Sequence, residues 1–98
     1  MEDTAVKRIM PHNYEAEKAV LGSMIMDTEA IVKAAEIITK DDFYKPEHGL
    51  VFDTIVSMYN AGKDIDLVTL MDGLKAKDAP EEVMSFSFFN ELTSIPTS

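Results

Sequence analysis

The chain has no cysteine, and only four glycines and four prolines among its 98 residues. Without cysteine there are no disulfides and no thiolate metal sites, which fits a reducing compartment. A hydrophobic share of 46% with so little glycine and proline is that of an ordinary globular domain, not of a disordered segment. Basic residues are also scarce, nine against eighteen acids, for a net charge of −9. Binding bare nucleic acid needs Lys and Arg against phosphates, so this charge argues against direct nucleic-acid binding and favours a protein partner or simple solubility. No apolar run approaches the roughly 20 residues needed to span a bilayer. The opening "MEDTAVKRIMPHN" lacks the apolar region of an export signal, so a cytoplasmic protein without membrane contact is expected. The length suits one domain with a single core.

What is present is helix punctuation. Asn13 is placed as an N-cap, with Glu15 and Glu17 in a first turn that favours negative charge. Ala16, Val20 and Met24, with Leu21 and Ile25, recur at helical spacing. Asp27 or Thr28 restarts the chain, and Ala30, Ile31, Ala34, Ala35 and Ile38 form a second stripe. A connector, Asp41–Lys45, precedes Pro46, which suits the first position of a helix because its missing N–H costs nothing there. Val51, Phe52, Ile55, Val56, Met58 and Tyr59 cover more than one face of that helix, which is therefore expected to be central. Gly62 suits its left-handed C-terminal position. Asp66 caps a fourth helix with Leu67, Leu70, Met71 and Leu74 as its stripe, and Pro80, Glu81 and Glu82 open a last segment bearing Phe88, Phe89, Leu92 and Ile95. Apart from a brief alternation over Ser85–Phe88, nothing reads as a strand. The expected fold is all-α, a compact orthogonal bundle of about five to six short helices around the central helix at about Pro46–Ala61. Internal repeats are absent, and the ending "LTSIPTS", with Pro96 breaking the last helix, is that expected of a domain cut from a longer protein.

Searches for chemistry return little. A phosphate-binding loop requires G-x-x-x-x-G-K-[ST], whereas Gly62-Lys63 is followed by Asp64 and Ser57 stands at the first glycine position. Asp64 and Asp66 begin a calcium-loop pattern that Val68 and Thr69 end, so Asp66 reads as a cap. Asp41, Asp42 and His48 form the one plausible metal cluster, but a single histidine without a second at ligand spacing is more often packed or hydrogen-bonded. His12 has less support still. Ser23, Ser57, Ser85 and Ser87 have no histidine at a recognisable motif spacing. No catalytic, cofactor-binding or metal-ligating residue is therefore expected in this chain. Phe86, Phe88 and Phe89 could stack bases, but they lie among Glu82 and Glu91 with no Arg or Lys beside them, so all three are expected in the core. Of Met24, Met26, Met58, Met71 and Met84, most are expected in the core, while Met26 stands off its helix's stripe and is expected at the surface.

Three extended blocks, "PHNYEAEKAVLGSMIMD", "DDFYKPEHGLVFDTIVSMYNAGKDIDLVTLMDGLK" and "FFNELTSIPTS", together resemble the N-terminal domain of the bacterial replicative DNA helicase, the DnaB type. The resemblance runs in order from Ile9 to Ser98. The family's Pro-His-x-x-Glu-Ala-Glu is matched by Pro11, His12, Glu15, Ala16 and Glu17, and its Val-Leu-Gly by Val20, Leu21 and Gly22. Its Asp-Phe-Tyr followed by His and Phe is matched by Asp42, Phe43, Tyr44, His48 and Phe52. Its Gly-x-x-Ile-Asp-x-x-Thr-Leu is matched by Gly62, Ile65, Asp66, Thr69 and Leu70. One departure is Met84-Ser85 where the family often has Gly-Gly, which either fuses Glu81–Ile95 into one helix or leaves Ser85 as a cap. The other is length, because family members continue into a helical hairpin, a linker and a RecA-like motor domain that this chain does not include.

The resemblance implies residues 1–10 as a flexible tail and 11–98 as the helical domain. It implies a hexameric, ATP-driven parent that unwinds DNA at the replication fork, with ATP and Mg2+ held downstream in the motor and no cofactor here. This domain would belong to the amino-terminal collar, supporting subunit assembly and primase recruitment, with a helicase loader as a further possible partner. Family pairing uses the hairpin, so a monomer or weak dimer is expected of this chain. Phe43 and Tyr44 are expected to anchor the connector in the core, with Asp41 and Asp42 favouring the N-terminus of the central helix and His48 packed near its first turn. Two other readings stand beside this one: a free-standing acidic adaptor or DNA mimic that binds a basic protein, and a small metal-dependent enzyme.

Overall fold

The computed structural model describes residues 13–94, which form five α-helices and two 3-10 turns and no strand. The tail, Pro11, His12, Ile95 and Pro96 lie outside these residues. Helix α1 (Tyr14–Met26) starts where Asn13 Oδ1 accepts from the Ala16 N–H at 2.9 Å. A single residue separates it from α2 (Thr28–Ile37). Asp27 ends α1 through its own N–H to the Ser23 carbonyl and caps α2 by accepting from the Glu29 N–H at 3.0 Å. Serving as both stop and start, Asp27 turns the chain without a loop.

The 3-10 turn Lys40–Asp42 leads into the central helix α3 (Pro46–Asn60), with Pro46 at its first position. Gly62 follows α3 with φ of 73°, and the Lys63 N–H reaches back to the Met58 carbonyl at 2.9 Å, which satisfies a carbonyl that the helix end would orphan. Asp66 and Thr69 open α4 (Leu67–Ala76) reciprocally, each side chain accepting from the other's N–H. Asp78 ends α4 in the same left-handed conformation, φ 56°, with the Ala79 N–H on the Leu74 carbonyl. A second 3-10 turn, Glu81–Val83, precedes α5 (Phe86–Thr93). Of the two outcomes open for Glu81–Ile95, the single helix is excluded: Ser85 leaves the helical path with a ψ of 153°, and its Oγ caps α5 by accepting from the Phe88 N–H at 3.0 Å.

As its many-sided apolar pattern predicts, α3 is central. It packs against α1, α2, α4 and both 3-10 turns, and α5 closes onto α1. Val51, Phe52, Ile55 and Met58 of α3 meet Leu21 and Met24 of α1, Ile31 of α2, Leu70 and Leu74 of α4, and Leu92 of α5 in one core. Each such large side chain contributes roughly 1.5–3 kcal/mol by leaving water.

Two glycines allow backbones to touch. A methyl on Gly22 of α1 would sit 2.1 Å from the Leu92 carbonyl oxygen of α5, and one on Gly49 of α3 would sit 2.3 Å from the Lys40 carbonyl oxygen. Both contacts are with backbone atoms, so no side-chain rotation can relieve them.

Candidate functional site

The polar residues brought together inside the fold are Glu17 and His48. Glu17 lies one helical turn before Leu21 and two before Met24, so the stripe that buries them buries Glu17 as well, leaving it 3% exposed. His48, in the first turn of α3, is 2% exposed. Glu17 Oε1 lies 2.7 Å from His48 Nδ1, and Glu17 Oε2 accepts the Tyr44 backbone N–H. One carboxylate therefore ties α1, the connector and α3 together, with both oxygens engaged. The imidazole is held between Tyr14, edge-on at 6.2 Å, and Phe88 at 5.7 Å. A buried charged group needs partners of this kind to offset its lost hydration. Sequence reading placed Glu17 only at the positive end of α1 and missed this pairing, although its i, i+4, i+7 relation to Leu21 and Met24 was a usable signal.

Several expected positions are corrected here. Phe43 is buried against Phe52, as expected, but Tyr44 is 47% exposed, because its backbone rather than its ring is what the interior holds. Asp42 Oδ2 accepts from the Thr39 N–H at 2.7 Å within its own 3-10 turn. Asp41, Asp42 and His48 do not gather round a point, and among the described residues no group of three His, Cys, Asp or Glu side chains is placed to hold a metal ion. Of the three phenylalanines, Phe88 is in the core and Phe89 half-buried, but Phe86 is 67% exposed because it occupies the first, outward position of α5. Met26 is exposed, as its position off the stripe predicts.

Above the Glu17–His48 pair, charged side chains border a cleft of about 300 Å³ between α1, the start of α3 and α5. Lys45 lies over the Tyr14 ring at 5.1 Å and donates to Glu82. That hydrogen bond holds the Lys45 ammonium above its usual pKa and the Glu82 carboxyl below its own. Lys18 bridges Glu91 at 3.1 Å and Glu15 at 3.2 Å. Partial burial works against the Lys18 charge, but the bonds and charges of Glu91 and Glu15 outweigh it and raise its pKa. Each lysine here is matched to carboxylates, so the cleft presents paired charge rather than a cationic cradle for phosphate.

A second concavity, of about 560 Å³, runs between α4 and α5 and is largely apolar, with Leu67, Val68, Met71, Met84 and Phe86 along it. Val68 is 74% exposed.

Residues 9–98 match the model of the DnaB-like helicase N terminal domain. The chain belongs to that family. It is 36% identical over 99 residues to the replicative DNA helicase DnaB of Geobacillus stearothermophilus, matching 100% of this chain and 22% of the relative. It is 34% identical to the replicative DNA helicase DnaC of Bacillus subtilis (strain 168), again over 100% of this chain and 22% of the relative. The chain thus spans about a fifth of the length of these relatives. The crystal structure of the N-terminal domain of DnaB helicase from Mycobacterium tuberculosis superposes with a TM-score of 0.80 at 32% identity, covering 89% of this chain and 61% of that one. The family accounts for the all-α fold and does not favour the free-standing adaptor. Several residues that carry the resemblance have structural work here. Gly22 admits α5, Glu17 and His48 form the buried pair, and Asp66 and Thr69 open α4.

Proposed function

We propose that this DnaB-family domain acts as a scaffold in the amino-terminal collar of a hexameric replicative helicase, supporting subunit assembly and contributing to primase recruitment. The observation that carries this reading is the family match over residues 9–98, nearly the whole chain. The relatives are named as replicative DNA helicases, so the parent is read as an ATP-dependent DNA-unwinding enzyme whose ATP and Mg2+ belong to its motor. For this domain the role is binding rather than catalysis. Its buried histidine and glutamate are bonded to each other. Net charge of −9 supports a protein partner over bare DNA, and a cytoplasmic setting follows from the replication role.

Calorimetric titration of the chain with the carboxy-terminal domain of the same organism's primase tests the recruitment role. Saturable heat is expected, and none at several temperatures would remove it. Light scattering tests assembly: a monomer or weak dimer is expected at micromolar concentration, and a tight hexamer would overturn that expectation.

A further inference from the structure

His48 is bonded at one ring nitrogen only. Glu17 Oε2 accepts the Tyr44 N–H, and Glu17 Oε1 lies 2.7 Å from His48 Nδ1, so an acceptor-only carboxylate faces that nitrogen. This assigns the ring hydrogen to Nδ1 and leaves a lone pair on Nε2 of the neutral imidazole. Nε2 has no bonding partner among the described residues, yet none of their buried side-chain nitrogens or oxygens is left unbonded. Nε2 is therefore the atom through which this 2%-exposed residue opens outward. The opening that His48 lines is the cleft of about 300 Å³ between α1, the start of α3 and α5. A nearly buried acceptor, held in one tautomer and opening into a cleft, calls for a donor.

The lining of the cleft narrows that donor's chemistry. Its charged side chains are Glu15, Glu82 and Glu91 against Lys18 and Lys45, three carboxylates to two ammonium groups. Each of the three is bridged to a lysine through one oxygen, and the excess of negative charge disfavours an anion. Among the described residues no three ligands are grouped to hold a metal ion. The rings of Tyr14 and Phe88 flank His48 and also line the cleft. A guanidinium answers all of these features, because it is planar, cationic, stacks on aromatic rings and carries enough donors to reach Nε2 and a rim oxygen together. Free arginine would bring its own carboxylate against the rim glutamates, whereas an arginine within a polypeptide would not.

We propose that this cleft receives an arginine side chain of a partner protein, with His48 Nε2 accepting from the guanidinium and the rim carboxylates balancing its charge. The proposal requires only this cleft and so stands or falls separately from primase recruitment.

The test uses the full 98-residue chain and N-acetyl-arginine amide, followed by long-range proton–nitrogen NMR of the imidazole at about pH 8, where imidazole is ordinarily neutral. The His48 signals are assigned with the His12→Gln chain. Before ligand is added, Nδ1 should carry the hydrogen and Nε2 should be bare. At constant ionic strength, saturable movement of Nε2 is expected with a midpoint of about 1 mM, the scale suited to a single side chain. The neutral citrulline analogue and free arginine should each bind more weakly, by about tenfold for the former. Glu82→Gln/Glu91→Gln, at two side chains that are 50% and 54% exposed, should weaken binding several-fold, because it removes two carboxylates and frees two lysines. A hydrogen found on Nε2 would overturn the proposal, as would no saturable movement up to about 50 mM. Equal binding of the citrulline analogue would show that the cationic charge is not recognised, and tighter binding of free arginine would make the ligand a small molecule; either result overturns it. Unchanged affinity of the double variant would do the same.

Discussion

Glu17 has two acceptor oxygens and both are used, so its substitution should be felt by two neighbours at once. Glu17→Ala leaves the Tyr44 N–H and His48 Nδ1 without an acceptor in a buried place, each loss being worth about 1–3 kcal/mol. A destabilisation of roughly 3 kcal/mol is expected by urea titration, with Glu17→Gln milder because one amide oxygen can still accept. Equal stability of the Ala variant and the parent chain would mean that the pair contributes nothing. Gly22 is the second sharp position. Gly22→Ala must part α1 from α5, since the obstacle is the Leu92 carbonyl. Overpacking of this kind costs about 1–3 kcal/mol or more. The thermal midpoint should fall by about 4–8 °C for each kcal/mol lost, and an unchanged midpoint would contradict the contact. Residue identity at both positions could be read from the family motif, but its reason could not, because each depends on an atom far along the chain.

Among the elements, boundaries were legible where a side chain bonds to its own neighbourhood. Asn13, Asp27, Asp66 and Ser85 cap helices through bonds spanning two or three residues, which sequence spacing can reveal. Asp42 closes its own 3-10 turn on the Thr39 N–H, again a bond over three residues. For the last segment the choice between one helix and two was open, and the Ser85 cap decides it. Ser85→Ala should therefore cost about 1 kcal/mol, as cap removal commonly does. Hydrogen exchange should show faster opening confined mainly to α5. Protection falling equally in all five helices would argue against a local cap.

For the whole molecule, the surface ion pairs predict the pH response. Glu82 is depressed in the folded chain, so its contribution is present above its unfolded pKa and is lost as pH falls through the folded value. Lys45 is raised, so its contribution is present below its unfolded pKa and is lost as pH rises through the folded value. The pair therefore acts across the neutral range. The difference in thermal midpoint between parent chain and Glu82→Gln should be small at pH 7 and close as pH falls from about 5 to about 3. A gap that widens over that interval would contradict the assignment. Composition, charge, apolar periodicity and local caps determined an acidic, all-α domain with α3 at its centre, because those signals act over a few residues along one helix. Tertiary structure alone decided that Glu17 pairs with His48, that Tyr44 stays outside, and that Phe86 lines a groove while Phe88 enters the core. Those outcomes depend on which distant helix occupies the space beside each side chain, and local spacing carries no record of that.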